Sequence, residues 1–245
     1  MAGRAELLVG VPTYNEAGNV ETLAADLLAL PASPDVLFID DASPDGTGAV
    51  LDRLARGSDR LRVLHRPGRL GIGSAHQAAI GWAYDRGYRR LVTMDGDLTH
   101  PPSQIGRLME AAGGFDLVVG SRYVQPGSMP GWSGFRRSQT IVAHGLTTRL
   151  LGLEHDATSS FRCYRLDRIP RERFEGIRST GYSFFLESLC LLQWRGVRIG
   201  DVPVVLPPRR AGSSKMTVLD AAVSARTLLR LTAARLARHG AGLRR

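Results

Sequence analysis

Arg90-Leu91-Val92-Thr93-Met94-Asp95-Gly96-Asp97-Leu98-Thr99-His100 begins as an apolar strand and ends in two carboxylates one residue apart. Residues i and i+2 of an extended chain face the same way, so Asp95 and Asp97 can share one ligand. Their hard oxygens match Mg²⁺ or Mn²⁺, ions that also bind phosphates. Taken alone the pattern is weak, because acidic pairs in loops are commonly solvated turn residues or helix caps. What surrounds it decides its meaning.

Four more short apolar runs, at 7–11, 36–40, 61–65 and 117–120, join this strand at 90–94. Helical patterns over 15–30, 46–56, 73–86 and 103–112 separate them, with Asn15 or Asn19 as a cap and Pro102 in a first turn. This alternation predicts a mostly parallel sheet flanked by helices, with ligands gathering at the strand ends. After Gly120 comes a loop over 123–135, carrying Pro126, Gly127, Pro130, Gly131 and Gly134. A helix over 136–151, a short strand at 161–164, a helix at 184–194 and a strand at 197–205 extend the same domain. The last helical run, 218–236, carries arginines over about half its circumference. It reads as a docking helix with a solvated face, ahead of a helix lying on a membrane.

The 245 residues, 43% apolar, suffice for one α/β domain. A net charge of +9, from 32 basic and 23 acidic residues, predicts an anionic partner. Nucleic acid, an acidic membrane and phosphorylated substrates all satisfy that charge. Cys163 and Cys190 lack metal-ligand spacing, which predicts a reducing compartment. No signal-peptide pattern and no run of roughly 20 apolar residues occurs, so a cytoplasmic or peripheral location is expected. Among the histidines, His65, His144 and His155 carry no metal spacing; His100, beside the acidic pair, lines a sugar site or packs and caps.

A second acidic cluster, Asp40 and Asp41 followed by Ser43-Pro44-Asp45-Gly46-Thr47, lies at another strand end. The first strand exits through Pro12-Thr13-Tyr14-Asn15-Glu16, which puts an aromatic ring and a carboxylate on the same edge. A nucleotide base can stack there, although Tyr14 and Asn15 would equally serve as strand exit and helix cap.

Pro12-Thr13-Tyr14-Asn15-Glu16, Asp40-Asp41 with its Ser-Pro-Asp-Gly-Thr loop, and Asp95-x-Asp97, in that order, resemble family 2 glycosyltransferases. The resemblance implies the GT-A fold, an α/β single domain with a Rossmann-like, mostly parallel central sheet. Gly71-Ile72-Gly73-Ser74-Ala75, Gly120-Ser121-Arg122-Tyr123, 156–165, Gly181-Tyr182-Ser183-Phe184 and Arg209-Arg210-Ala211-Gly212-Ser213-Ser214-Lys215 look more narrowly like dolichol- or polyprenol-phosphate mannosyltransferases. The likeness spans about 7–216. It implies a glycosyltransferase domain over 1–215, with a nucleotide-sugar half at 1–120 and an acceptor half at 121–215, and a basic helix and tail at 216–245.

Carried over by motif, Pro12, Tyr14, Glu16, Ile39 and Asp41 hold the nucleoside, and Asp95, Gly96 and Asp97 meet Mg²⁺ or Mn²⁺ and the diphosphate. Arg122, Arg209 and Lys215 face phosphates and, with Asp97, form the catalytic set. Arg136 and Thr140 lie near the acceptor phosphate. The implied partners are GDP-mannose, polyprenyl or dolichyl phosphate and, for a chain without a hydrophobic anchor after Lys215, peripheral contact with the cytoplasmic membrane face or a membrane-protein partner. Gly96 stands where relatives carry alanine, Ser138 and Gln139 where they carry hydrophobic residues, and Thr99 where they offer Gln or Ser.

The nearest alternative is the same fold moving glucose or N-acetylhexosamine, to polyprenyl phosphate or a glycan. A basic nucleic-acid-binding module leaves the acidic strand ends without a purpose, so no nucleic-acid partner is expected. A dinucleotide-binding dehydrogenase lacks its Gly-x-Gly-x-x-Gly turn after the first strand.

Overall fold

The computed structural model describes residues 6–207 and 217–242. Seven strands form one sheet in the order β3-β2-β1-β4-β6-β5-β7. They are β1 Leu7–Thr13, β2 Asp35–Asp40, β3 Leu61–His65, β4 Arg90–Thr93, β5 Leu117–Ser121, β6 Arg162–Arg165 and β7 Ile199–Pro203. Side chains alternate between the two faces. Leu8, Leu37, Ile39, Leu91 and Val119 pack with α3 (Ile72–Asp85) and α6 (Ser183–Trp194). Leu7, Val9, Val11, Val36, Phe38 and Val92 pack with α1 (Val20–Leu28), α2 (Thr47–Arg56) and α4 (Ile105–Ala111). Helices thus cover both faces, and burying each such side chain stabilises the fold by about 1.5–3 kcal/mol.

Four of the strand pairings are parallel; β6 runs antiparallel to both β4 and β5. Nothing in the four-residue run Arg-Cys-Tyr-Arg announces its direction; the long connection after β5 returns the chain to the end of the sheet at which β5 finishes, so that Arg162 pairs with Val119 and β6 runs back along it. The first helix starts later than its apolar pattern predicts, at Val20 rather than Asn15. Asn15 takes φ +57, and the Asn19 side chain donates to Glu16 at 2.7 Å instead of capping. The pattern at 103–112 divides into a 3-10 turn, Pro102–Gln104, and α4.

Helix α5 spans Gly134–Leu151, and α7 spans Val218–Gly242. Helix α7 lies against the body through Leu231, buried within the core of α3 and α6, and through Arg230, which donates to Glu187. Cys163 and Cys190 are free and buried, and burial pushes both thiols up to about 12. No described helix is long and apolar enough to cross a membrane.

Candidate active site

Three strand exits meet at one edge of the sheet, and their loops are tied to each other. The β1 exit is held by the β2 exit: Asn15 N–H donates to Ser43 Oγ at 3.0 Å, Glu16 N–H to Thr47 Oγ1 at 2.9 Å and Ala17 N–H to Asp45 Oδ2 at 3.1 Å. The polar residues of Ser43-Pro44-Asp45-Gly46-Thr47 are therefore scaffold, and within the second acidic cluster Asp41 is the carboxylate that lines the crevice. Asp41 is itself held by the Arg66 guanidinium and accepts the backbone N–H groups of Leu70 and Gly71 at 3.1 and 3.2 Å. Asn15, Ala42 and Leu98, at the exits of β1, β2 and β4, all have positive φ. Such strain costs on the order of 1–3 kcal/mol per residue and collects where a fold positions ligand groups.

The β4 exit bends instead of continuing extended, with Leu98 at φ +62. Asp97 Oδ1 accepts from Thr99 N–H at 3.1 Å and from its hydroxyl at 2.6 Å, which fixes the carboxylate. Asp95 N–H donates to His100 Nδ1 at 3.2 Å, so that nitrogen carries no proton. Burial lowers the His100 pKa, in keeping with a neutral ring, which also stacks on Phe161 at 5.0 Å. Of the two sequence readings of His100, packing and positioning is the one these contacts describe. A Cβ on Gly96 would lie 3.2 Å from the Pro12 carbonyl oxygen and 3.3 Å from Thr13 Cγ2, so glycine lets the β4 exit lie close against β1.

These exits border a cavity of about 450 Å³. Pro12, Tyr14, Glu16, Asp41, Asp95, Gly96 and Asp97 all line it. Its far wall is the start of α3 with Thr180–Tyr182 and the start of α7, where Asp220 accepts from Thr217 at 2.8 Å. Gly71, at φ +94, and Gly73 bring that wall together: a Cβ on Gly73 would lie 2.4 Å from Phe184 Cβ. Among the described lining residues, Glu16, Asp41, Asp95, Asp97 and Asp220 face one basic residue, Arg69. An acid-lined cavity repels a diphosphate unless cations join it. Two carboxylates on one bend, with no group of three His, Cys, Asp or Glu among the described residues arranged to hold a metal by themselves, suit a hard divalent ion that completes its shell with phosphate and water.

Ile39, expected beside the nucleoside, is fully buried in the core and presents its carbonyl to the Thr13 hydroxyl at 3.2 Å. Arg122, expected to face phosphates, lies off the cavity wall. Its Nε and Nη2 fork onto Asp156 at 2.8 and 3.0 Å, and Nη2 also reaches Thr158 at 2.6 Å. Burial would raise the Asp156 pKa, but the Arg122 charge and hydrogen bonds hold the carboxyl below its ordinary value. On the same flank Arg136 lies over the Trp132 ring at 3.8 Å, and the Thr140 carbonyl accepts from Tyr123 at 3.1 Å. Arg209 and Lys215 lie outside the described residues.

Asp156 and Arg69 were not singled out in the sequence. Asp156 opens the 156–165 motif, yet pairing with Arg122 across 34 residues leaves no local signal. Arg69 sits two residues before the Gly71-Ile72-Gly73 turn, where a basic residue next to a glycine-rich turn is the available clue.

The sequence profile of glycosyl transferase family 2 matches residues 8–169. The chain is 37% identical to the polyprenol monophosphomannose synthase of Mycolicibacterium smegmatis, covering 86% of this chain and 80% of that one. It is 38% identical to the undecaprenyl-phosphate mannosyltransferase of Micrococcus luteus, covering 86% and 87%. Among solved structures it shares its fold with glucosyl-3-phosphoglycerate synthase of Mycobacterium tuberculosis, crystallised with Mn²⁺, UDP-glucose and phosphoglyceric acid. That match has a TM-score of 0.67 and 20% identity, and covers 95% of this chain and 81% of the other. With its three strand exits converging on an acid-lined cavity and its profile matched over most of the chain, this protein belongs to glycosyltransferase family 2 and is a glycosyltransferase.

Proposed function

We propose that this enzyme transfers mannose from GDP-mannose to the phosphate of a polyprenyl or dolichyl phosphate, inverting the anomeric carbon, with Mg²⁺ or Mn²⁺ held by Asp95 and Asp97. The observation that carries this reading is the convergence of Asp95, Gly96 and Asp97 with Pro12, Tyr14, Glu16 and Asp41 on one cavity. The choice of sugar and acceptor is supported by the names of the two relatives at 37% and 38% identity, and the metal by the acid-rich cavity.

In this reaction an acceptor phosphate oxygen forms a bond to the sugar C1 while the C1–O bond to the diphosphate breaks. The phosphate, with a second pKa of about 6, is already ionised near neutral pH, so no strong general base is required. Positioning and charge stabilisation are the chain's task. Thr99 and His100 hold Asp97 and the Asp95 backbone; Tyr14 and Asp41 bound the nucleoside end. A divalent ion bound at Asp95 and Asp97 supplies neutralising charge to the departing diphosphate. Arg122, Arg209 and Lys215 contribute cations to the phosphates, and Arg136 and Thr140 receive the acceptor headgroup.

Delivery of a lipid acceptor requires contact with a bilayer, which we place at the cytoplasmic face. Helix α5 supports contact with a bilayer: Phe135, Val142 and Leu146 form one stripe at helical spacing, 75%, 61% and 44% exposed, with Arg136 on its flank. An apolar stripe flanked by an arginine suits an acidic membrane surface.

The test is transfer of labelled sugar into polyprenyl phosphate in detergent micelles, with GDP-mannose, UDP-glucose and UDP-N-acetylglucosamine as parallel donors. Label moving from GDP-mannose alone, abolished by EDTA and restored by Mn²⁺ or Mg²⁺, is expected. Transfer from a UDP-sugar but not from GDP-mannose overturns the donor; transfer unaffected by EDTA overturns the metal.

A further inference from the structure

We infer that Arg69 reads the base of the donor nucleotide and gives the enzyme its preference for guanine. This rests on the donor cavity proposed above. Three observations lead to it. First, Arg69 is the basic side chain among the described lining residues of the cavity, and its guanidinium carbon sits 4.7 Å from the centre of the Tyr14 ring, stacked over the residue at the nucleoside end.

Second, its place is built. The backbone N–H groups of Leu70 and Gly71, directly after it, are clamped by Asp41 Oδ2 at 3.1 and 3.2 Å. Arg66, three residues before it, is fixed on Asp41 and donates to Ser74 at 2.6 Å. A buried ion pair thus anchors both sides of a segment in which Arg69 is exposed and turns over the cavity. Holding the backbone on both sides lowers the entropy lost when the guanidinium engages a ligand.

Third, the sheet order separates base from phosphate. Asp95 and Asp97 follow β4, whereas Asp41 and Arg69 follow β2 and β3, on the opposite side of β1. Neighbouring strands are about 4.8 Å apart, so the two groups of exits are spaced like the two ends of a nucleoside diphosphate. With the diphosphate at the acidic bend, the ring that reaches Tyr14 is the base.

A guanidinium offers only donors. Guanine presents two acceptors, O6 and N7, in the spacing that an arginine fork matches, while adenine places an amino donor beside N7 and uracil offers a single carbonyl on that edge. Arg69 over Tyr14 therefore favours guanine against both, with the aromatic ring supplying a stacking surface that does not discriminate.

The experiment is calorimetric titration of GDP, UDP and ADP, with Mn²⁺, into the wild-type chain, Arg69→Ala and Arg69→Lys, after thermal melts confirm that the variants are folded. The expected result is a wild type that prefers GDP, and an alanine variant whose GDP affinity falls about tenfold to a hundredfold, the cost of one lost two-point contact to a base. UDP and ADP should change by less than about threefold, and lysine, with one donor centre in place of a fork, should fall between. Equal losses for all three nucleotides would assign Arg69 to the diphosphate and overturn the inference, as would unchanged GDP binding. A wild type that prefers UDP or ADP would instead overturn the proposed donor itself, whatever the Arg69 variants do.

Discussion

Arg66 on Asp41 and Arg122 on Asp156 are the same device used in opposite senses. Both are arginines paired with buried aspartates near strand exits, one pair on the β2–β3 side of the sheet and the other between β5 and β6. In the first pair the carboxylate lines the cavity and the arginine supports it from behind. In the second the carboxylate is the fully buried support, while the arginine looks toward Trp132, 5.8 Å away, and into the field of Asp95. Pairing chemistry alone does not say which partner meets a ligand; the direction in which the chain leaves the strand does. The β1–β4 half is an acid-lined receptacle, and the β5–α5 flank is an arginine-bearing surface.

Breaking the receptacle should have the largest effect. Asp97→Ala is expected to lower glycosyl transfer at least about 10³-fold, or about 4 kcal/mol on the barrier, because the carboxylate held by Thr99 and proposed to bind the metal is lost. Initial rates, with a melting curve to confirm folding, check it. Near-normal turnover would remove Asp97 from the metal site.

Breaking the other pair should cost stability first. Asp156→Ala strands a guanidinium whose side chain is only 11% exposed, and about 3 kcal/mol of folding stability should disappear in urea titration. A loss below about 1 kcal/mol would mean that Arg122 relaxes to solvent and that Asp156 does not support it.

A third effect falls on the wall between the two regions. His76, on α3, is fully buried between Phe184 and Phe185, with no hydrogen-bond partner at either ring nitrogen. Burial, aided by the Arg162 charge, lowers its pKa from 6.5 to about 3. The unfolded chain takes up a proton below pH 6.5 that the folded ring refuses until about pH 3, so stability falls with falling pH through that window. One proton contributes about 1.4 kcal/mol per pH unit well below the unfolded pKa. His76→Leu should flatten urea-derived stability between pH 6 and 4 by about 2 kcal/mol relative to wild type; an unchanged slope would show that the buried ring is protonated or solvated.

The smallest effect sharpens the flank. Arg136→Ala, an exposed substitution on α5, should raise the KM for polyprenyl phosphate about tenfold and leave the KM for the sugar donor unchanged, the loss of one charge-assisted phosphate contact. A rise in the donor KM instead would move Arg136 to the receptacle.

The receptacle was more legible than the flank, for a physical reason. Strand β4 ends in its carboxylates, strand β2 in Asp41 and strand β1 in Tyr14 and Glu16, so local sequence carries both the element and the ligand group, and parallel neighbours bring their ends together. Asp45 and Thr47 looked like part of an acidic site but are consumed in tying the β1 exit, a role that depends on bonds spanning 28 and 31 residues. The direction of β6, the burial of Ile39 and the fork between Arg122 and Asp156 depend on contacts between distant segments, where short runs carry no mark. Arg69 was missed because one arginine among 32 basic residues is indistinguishable until Tyr14 is seen beneath it.

If the donor lies in the acid-lined receptacle, with its diphosphate at the β4 exit and its base at the β1–β2 exits, a crystal structure with GDP and Mn²⁺ will show it. The metal is expected on Asp95 and Asp97, the diphosphate beside them, and guanine against Tyr14 and Arg69. Nucleotide bound along the Arg122–Arg136 flank, with the receptacle empty, would contradict it.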